Sequence, residues 1–255
     1  MTFFKRILKE PEPAEVATPR IERRSVPRFT VSPQFPLKAV LSFIPRDESG
    51  APMGNSRHGW NWKGRLIECS EVGARMQLGP GIRAATAENC DLKLSVQAHE
   101  ISVPCHVANV TEQPEGVVLG LVHDLTDAAV RRDYLQLLEV VALGSTLTLQ
   151  PKATQPDASG YLVEVYAGTR PSRLTIWRHP ADQSVAAFEF QLQENMVRAA
   201  AGQGAEFLSD LAGTGSRPAS NEQCVEIGRL FTWVVPNLGP AVPEDVRAFL
   251  RHYAT

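Results

Sequence analysis

Two short segments of the chain carry residue types that could do chemistry. The first is Glu22-Arg23-Arg24-Ser25-Val26-Pro27-Arg28-Phe29, and the second is Glu68-Cys69-Ser70-Glu71-Val72-Gly73. A guanidinium is a planar fork of donors. It can hold phosphate oxygens bidentately and stack on a planar ring. Arg23, Arg24 and Arg28 on one strip could share these tasks. The second segment combines a carboxylate, a hydroxyl and a glycine at a turn, a set suited to hydrogen bonding rather than to bond cleavage.

Known catalytic patterns are missing elsewhere. The sequence has no GxxxxGK[S/T] phosphate loop, no GxSxG nucleophile elbow and no HExxH zinc helix. Gly202-Gln203-Gly204 and Gly213-Thr214-Gly215 lack the strand before and helix after that a dinucleotide fingerprint needs, so they read as loops. Cys105 and His106 are adjacent in a strand pattern, which points them to opposite faces and defeats a thiolate–imidazole dyad. His123-Asp124 reads as a polar strand end. Trp60 and Trp62 read as strand-edge packing. Asn109-Val110-Thr111 matches a glycosylation pattern only by letter. No catalytic residue and no metal site is expected, and no enzyme.

The elements that must position the two segments are strands. Leu37–Ile44 is an extended run, and Leu66–Cys69 and Ala74–Leu78 flank a tight turn, with Ala74, Met76 and Leu78 on one face and Arg75 and Gln77 on the other. Leu92, Leu94 and Val96 alternate with polar residues, as do Ile101, Val103, Cys105, Val107 and then Val117, Leu119, Leu121. Thr111–Gly116 suits a hairpin connection. Thr126 and Asp127 then start a helix through Val130, Tyr134, Leu137, Leu138 and Val141, with Gly144 as its expected stop. This predicts a mainly β protein: five or six short antiparallel strands in a small barrel or sandwich closed by a C-terminal helix, followed by a second α+β module.

An arginine strip at the mouth of a small β-barrel, followed by a D/N-x-S-x-x-G-like turn between two strands, resembles the PilZ domain, the bacterial cyclic di-GMP receptor family. The resemblance covers about residues 20–142 and implies a six-stranded antiparallel β-barrel closed by a C-terminal helix. It implies that Arg23, Arg24 and Arg28 clamp the dinucleotide while Ser70 and Gly73 fill the turn. Glu68 stands where the family pattern has Asp or Asn. It keeps the carboxylate but is one methylene longer. The implied ligand is cyclic di-GMP with no cofactor, and the implied partner is another protein of a motility, pilus or polysaccharide system. The alternative that Glu68 supports is a PilZ-like interaction module that no longer binds nucleotide.

Composition agrees with a globular chain. Its 255 residues, 43% hydrophobic and 21% charged, suit two modest domains. Lys plus Arg is 26 and Asp plus Glu 28, a net charge of −2, which leaves no basic field for a long nucleic acid. Residues 1–28 nonetheless carry seven basic and four acidic side chains, a local +3. The expected layout is a flexible arm over 1–20, a barrel domain over 21–144, a linker over 145–160 rich in Pro and Ser, and an α+β domain over 161–255. In that last domain, strands are expected at Tyr161–Tyr166, Leu174–Trp177, Ala186–Leu192 and Val225–Val235. Helices are expected from Asn195 to Gly202 and from Pro243 to the end. With no apolar run of membrane-spanning length, no signal-peptide core and no paired-cysteine pattern, the expected location is the cytoplasm.

Overall fold

Alternation of apolar and polar residues builds the first unit almost entirely from strands. The structure is a computed structural model that describes residues 26–43, 61–151, 155–209 and 215–254. Two units divide these residues, with the border between Leu138 and Glu139. The first contains β1 (Phe29–Thr30), β2 (Leu37–Phe43), β3 (Asn61–Ser70), β4 (Gly73–Leu78), β5 (Asn89–Val96), β6 (His99–Gln113) and β7 (Gly116–His123), and helix α1 (Ala128–Ser145) begins in it. Strands β2, β5, β6, β7, β4 and β3 pair in that order, and β3 pairs again with β2, so six antiparallel strands form a closed barrel. The short β1 takes the β3 edge that β2 uses further along, matching Phe29 to Cys69 and Thr30 to Glu68.

The period of two decides what faces inward. On β4, Ala74, Met76 and Leu78 are buried while Arg75 points out. Met76 lies level with Leu66 on β3 and Leu119 on β7, and all three are core residues. Each such apolar side chain contributes about 1.5–3 kcal/mol by leaving water. Asp127 starts α1 as its sequence suggests: its Oδ1 accepts the N–H groups of Ala129 at 2.8 Å and Val130 at 3.0 Å. Gly144 does not stop the helix, which runs to Ser145. A Cβ there would lie 2.7 Å from the Val234 carbonyl oxygen, so the glycine serves a close approach.

The second unit is one antiparallel sheet with helices. It contains β8 (Thr148–Leu149), β9 (Gln155–Pro156), β10 (Leu162–Ala167), β11 (Ser172–Arg178), β12 (Val185–Leu192), β13 (Asn195–Ala200), β14 (Glu206–Ser209), β15 (Arg217–Pro218), α2 (Asn221–Val234) and α3 (Glu244–Tyr253). Strands β10 to β14 follow one another as a meander. β15 closes one end of the sheet, and β8 and β9 both pair with β10 at the other. The segment expected as a linker over 145–160 therefore contains two short strands. The inner face meets the helices through aromatics: the Phe188 ring stacks on Phe231 at 5.7 Å and meets Tyr253 at 5.4 Å and Phe249 at 6.1 Å.

Two element types differ from expectation. Asn195–Ala200 is a strand, not a helix. Its Met, Arg and Ala residues favour helix intrinsically, but Leu192 and Asn195 face each other across a tight turn and Val197 fills the core beside Phe190. Residues 225–235 are helical, not extended. The signal lies just upstream, where Ser220 caps the Gln223 N–H and Gln223 caps the Ser220 N–H in return. The spacing of Ile227, Leu230, Phe231 and Val234 then puts one apolar stripe inside.

Candidate ligand-binding site

The β3–β4 turn opens onto a pocket of about 610 Å³ on the outside of the barrel, lined by Arg28, Glu68, Ser70, Gly73, Arg75, Asn109, Thr111 and Gly120 among others. Pairing register explains why these residues meet. Glu68 on β3 lies level with Arg75 on β4, Arg75 with Gly120 on β7, and Gly120 with Asn109 on β6. Partners across an antiparallel ladder share a face, so these four residues form one outward row over four strands. A bulge between Val107 and Asn109 sets the last member in phase. Gly120 leaves the row without a side chain at its third place. A Cβ there would lie 2.6 Å from the Asn109 amide, which covers the position instead.

Charge in the row is partly cancelled. A nitrogen of the Arg75 guanidinium lies 3.3 Å from Glu68 Oε2, with the side chains 44% and 27% exposed. Arg28, immediately before β1, is exposed and makes no ion pair among the described residues.

The turn itself is held from below. Ser70 is buried; its hydroxyl donates to the Gly73 carbonyl at 3.0 Å, and its own carbonyl accepts the Tyr134 hydroxyl of α1 at 2.8 Å. Gly73 is not in the left-handed region. It is needed because a Cβ would overlap the Leu121 carbonyl oxygen of β7, so its role is close packing between strands and not an unusual turn angle. The His123 backbone N–H donates to the Val72 carbonyl at 3.0 Å, and its ring meets Tyr134 edge-on at 4.5 Å. Both ring nitrogens are buried with no hydrogen-bond partner among the described residues, and burial pushes the imidazole down to about 4. Cys69 is a buried lining residue whose thiol is pushed up to about 12, first by burial and then by Glu68, which makes it a core thiol and not a nucleophile. Burial also drives the Tyr134 hydroxyl well above its ordinary range.

Of the residues singled out in the sequence, Arg28, Glu68, Ser70 and Gly73 come together at this pocket. Arg23 and Arg24 lie outside the described residues, as does Trp60. Trp62 pairs with Leu41 on β2 and is not among the lining residues. Arg75, Asn109, Thr111 and Gly120 were not singled out as site residues. Arg75 had a signal, since the alternation on β4 turns it outward next to the motif. Asn109 and Gly120 had none, because their place depends on which strands pair.

Comparison with known proteins bears on the first unit. The PilZ domain family model matches residues 22–139. Among solved structures, a PilZ domain with c-di-GMP of YcgR from Escherichia coli matches at 13% identity and a TM-score of 0.33, over 45% of this chain and 87% of that one. None of the curated proteins matches the chain. The family match, together with the closed six-stranded barrel built by the same stretch, identifies the N-terminal part of this chain as a PilZ domain.

Proposed function

We propose that the chain is a bacterial cyclic di-GMP receptor, with Arg23, Arg24 and Arg28 clamping the dinucleotide against a turn formed by Glu68, Ser70 and Gly73. The observation that carries this reading is that Arg28, from the arginine strip, lines the same pocket as the three turn residues. Its volume of about 610 Å³ falls in the range of small-molecule sites. Guanidinium forks supply the donors that two phosphates and two guanines require. Signalling would run from the turn through the Tyr134–Ser70 hydrogen bond to α1, and so to the α+β module over 161–255 and a protein partner in motility, pilus or polysaccharide control. The protein acts as a receptor, not an enzyme, and works in the cytoplasm. Among the described residues no helix is long and apolar enough to cross a membrane. Titration calorimetry with cyclic di-GMP tests the reading: saturable heat with the natural chain, lost in Arg24→Ala and Arg28→Ala, supports it, and absence of heat with the natural chain refutes it.

A second reading rests on one contact. Glu68 is engaged by Arg75 and so is not presented freely to a base edge. The domain would then be a scaffold for protein contacts that has lost nucleotide binding. Binding that appears only in Glu68→Asp would favour it, and equal binding by both versions removes its basis.

A further inference from the structure

Resting on the cyclic di-GMP reading, we infer that Glu68 is an internal counterion that competes with the ligand for Arg75, and that Arg75 is a fourth guanidinium of the site, taking a ligand phosphate when Glu68 releases it. The register makes this pair. Glu68 and Arg75 are direct partners on the outer face of β3 and β4, and both line the pocket. Their contact is a single N–O approach of 3.3 Å, open to water on both sides. A guanidinium has five N–H donors, so most of the Arg75 fork stays unused. Exposed pairs of this kind are weak and readily exchanged. A phosphate offers the same guanidinium a bidentate partner, which a single carboxylate oxygen does not.

The surroundings allow the exchange. On the side away from Glu68, the register partner of Arg75 is Gly120, whose place the Asn109 amide covers. That amide is exposed and uncharged, so it does not repel an anion. Among the described lining residues the charged groups are Arg28, Arg75 and Glu68, so the pocket has one spare cation while the pair is closed and two when it opens. The length of Glu68 matters here. Its extra methylene, relative to the Asp of the family pattern, extends the carboxylate along the row toward Arg75.

The test is a double-mutant cycle on the full chain, with cyclic di-GMP as titrant and calorimetry as readout: natural chain, Glu68→Gln, Arg75→Gln and both together. Arg75 is exposed and Glu68 half-buried, and superimposable thermal melts will show that folding is intact. Glu68→Gln is expected to tighten binding about fivefold, because an uncharged amide neither holds Arg75 nor repels the phosphate. Arg75→Gln is expected to weaken it about tenfold, the loss of one charge-assisted contact. In the double variant the gain from Glu68→Gln should shrink to under twofold. If the natural chain binds and Glu68→Gln binds equally or more weakly, the counterion role is overturned while the receptor reading stands. If the natural chain gives no heat but Glu68→Gln does, the counterion role is supported and the natural chain is not a receptor. Silence from all four versions overturns both.

Discussion

The Tyr134 hydroxyl donates to the Ser70 carbonyl oxygen at 2.8 Å, joining α1 to the β3–β4 turn across 64 residues of sequence. The bond is buried, so removing the donor takes a partner from the carbonyl where water does not readily replace it. Tyr134→Phe should lower unfolding stability by about 1–3 kcal/mol. Urea denaturation would show this as an earlier midpoint at unchanged slope, and a midpoint within error of the natural chain would rule it out.

Gly73 and Gly79 lie at opposite ends of the same strand region but differ in what surrounds them. A Cβ on Gly73 would overlap the Leu121 carbonyl, whereas one on Gly79 would meet nothing within 4 Å among the described residues. Gly73→Ala should therefore push β4 from β7, cost about 1–3 kcal/mol and distort the pocket. Gly79→Ala should be neutral or slightly stabilising. Thermal melts of the two variants side by side check the contrast, and equal melting temperatures would contradict it.

Acid should loosen the turn through His123. Its folded-state value of about 4 lies below the ordinary 6.5, so the unfolded chain takes up the proton first as pH falls. Stability from the neutral ring is complete above about pH 6.5, declines as pH falls to about 4, and by linkage the loss is of order 3 kcal/mol. His123→Phe removes the titrating group and should flatten this limb of the stability–pH curve. The limb persisting unchanged in that variant would assign it to other groups.

In the second unit Arg178 is buried between Glu164, 2.8 Å from its Nε, and Asp245 at the start of α3. The hydrogen bond from Arg178 holds the Asp245 carboxyl below the usual carboxylate range. That stabilisation is present at neutral pH and fades as acidification protonates the acid. Arg178→Ala leaves two carboxylates facing each other and should cost about 2–3 kcal/mol. Chemical denaturation at pH 7 measures it. A loss under 0.5 kcal/mol, about the scatter expected of surface changes, would show that the network holds nothing together.

The barrel was readable because its strands alternate cleanly. Ala74, Met76 and Leu78 had to face one way and Arg75 the other, whatever paired with them. Half of the pocket was readable for a different reason: Arg28, Glu68, Ser70 and Gly73 lie in short local patterns. Asn109 and Gly120 were not, since they join Arg75 only through the pairing of β4, β7 and β6 and a bulge that shifts the phase by one residue. A single sequence holds no local trace of that register. The β13 and α2 errors have a related origin. Met196, Arg198, Ala199 and Ala200 are good helix formers recruited into a strand by their neighbours, while the β-branched and aromatic residues of 225–235 were held in a helix by the Ser220 cap and the core.

Pairing in a closed ring has one further effect. Among the described residues the six strands have no first or last member, so the barrel lacks the open sheet edge on which another chain could add a strand. The open sheet of the second unit lacks that protection and limits its exposure by other means. Its outermost strands β8, β9 and β15 are two residues each, and Pro156 and Pro218 stand in two of them without an N–H to donate. The chain thus guards against edge-to-edge aggregation twice, by closure in one half and by short, proline-bearing margins in the other.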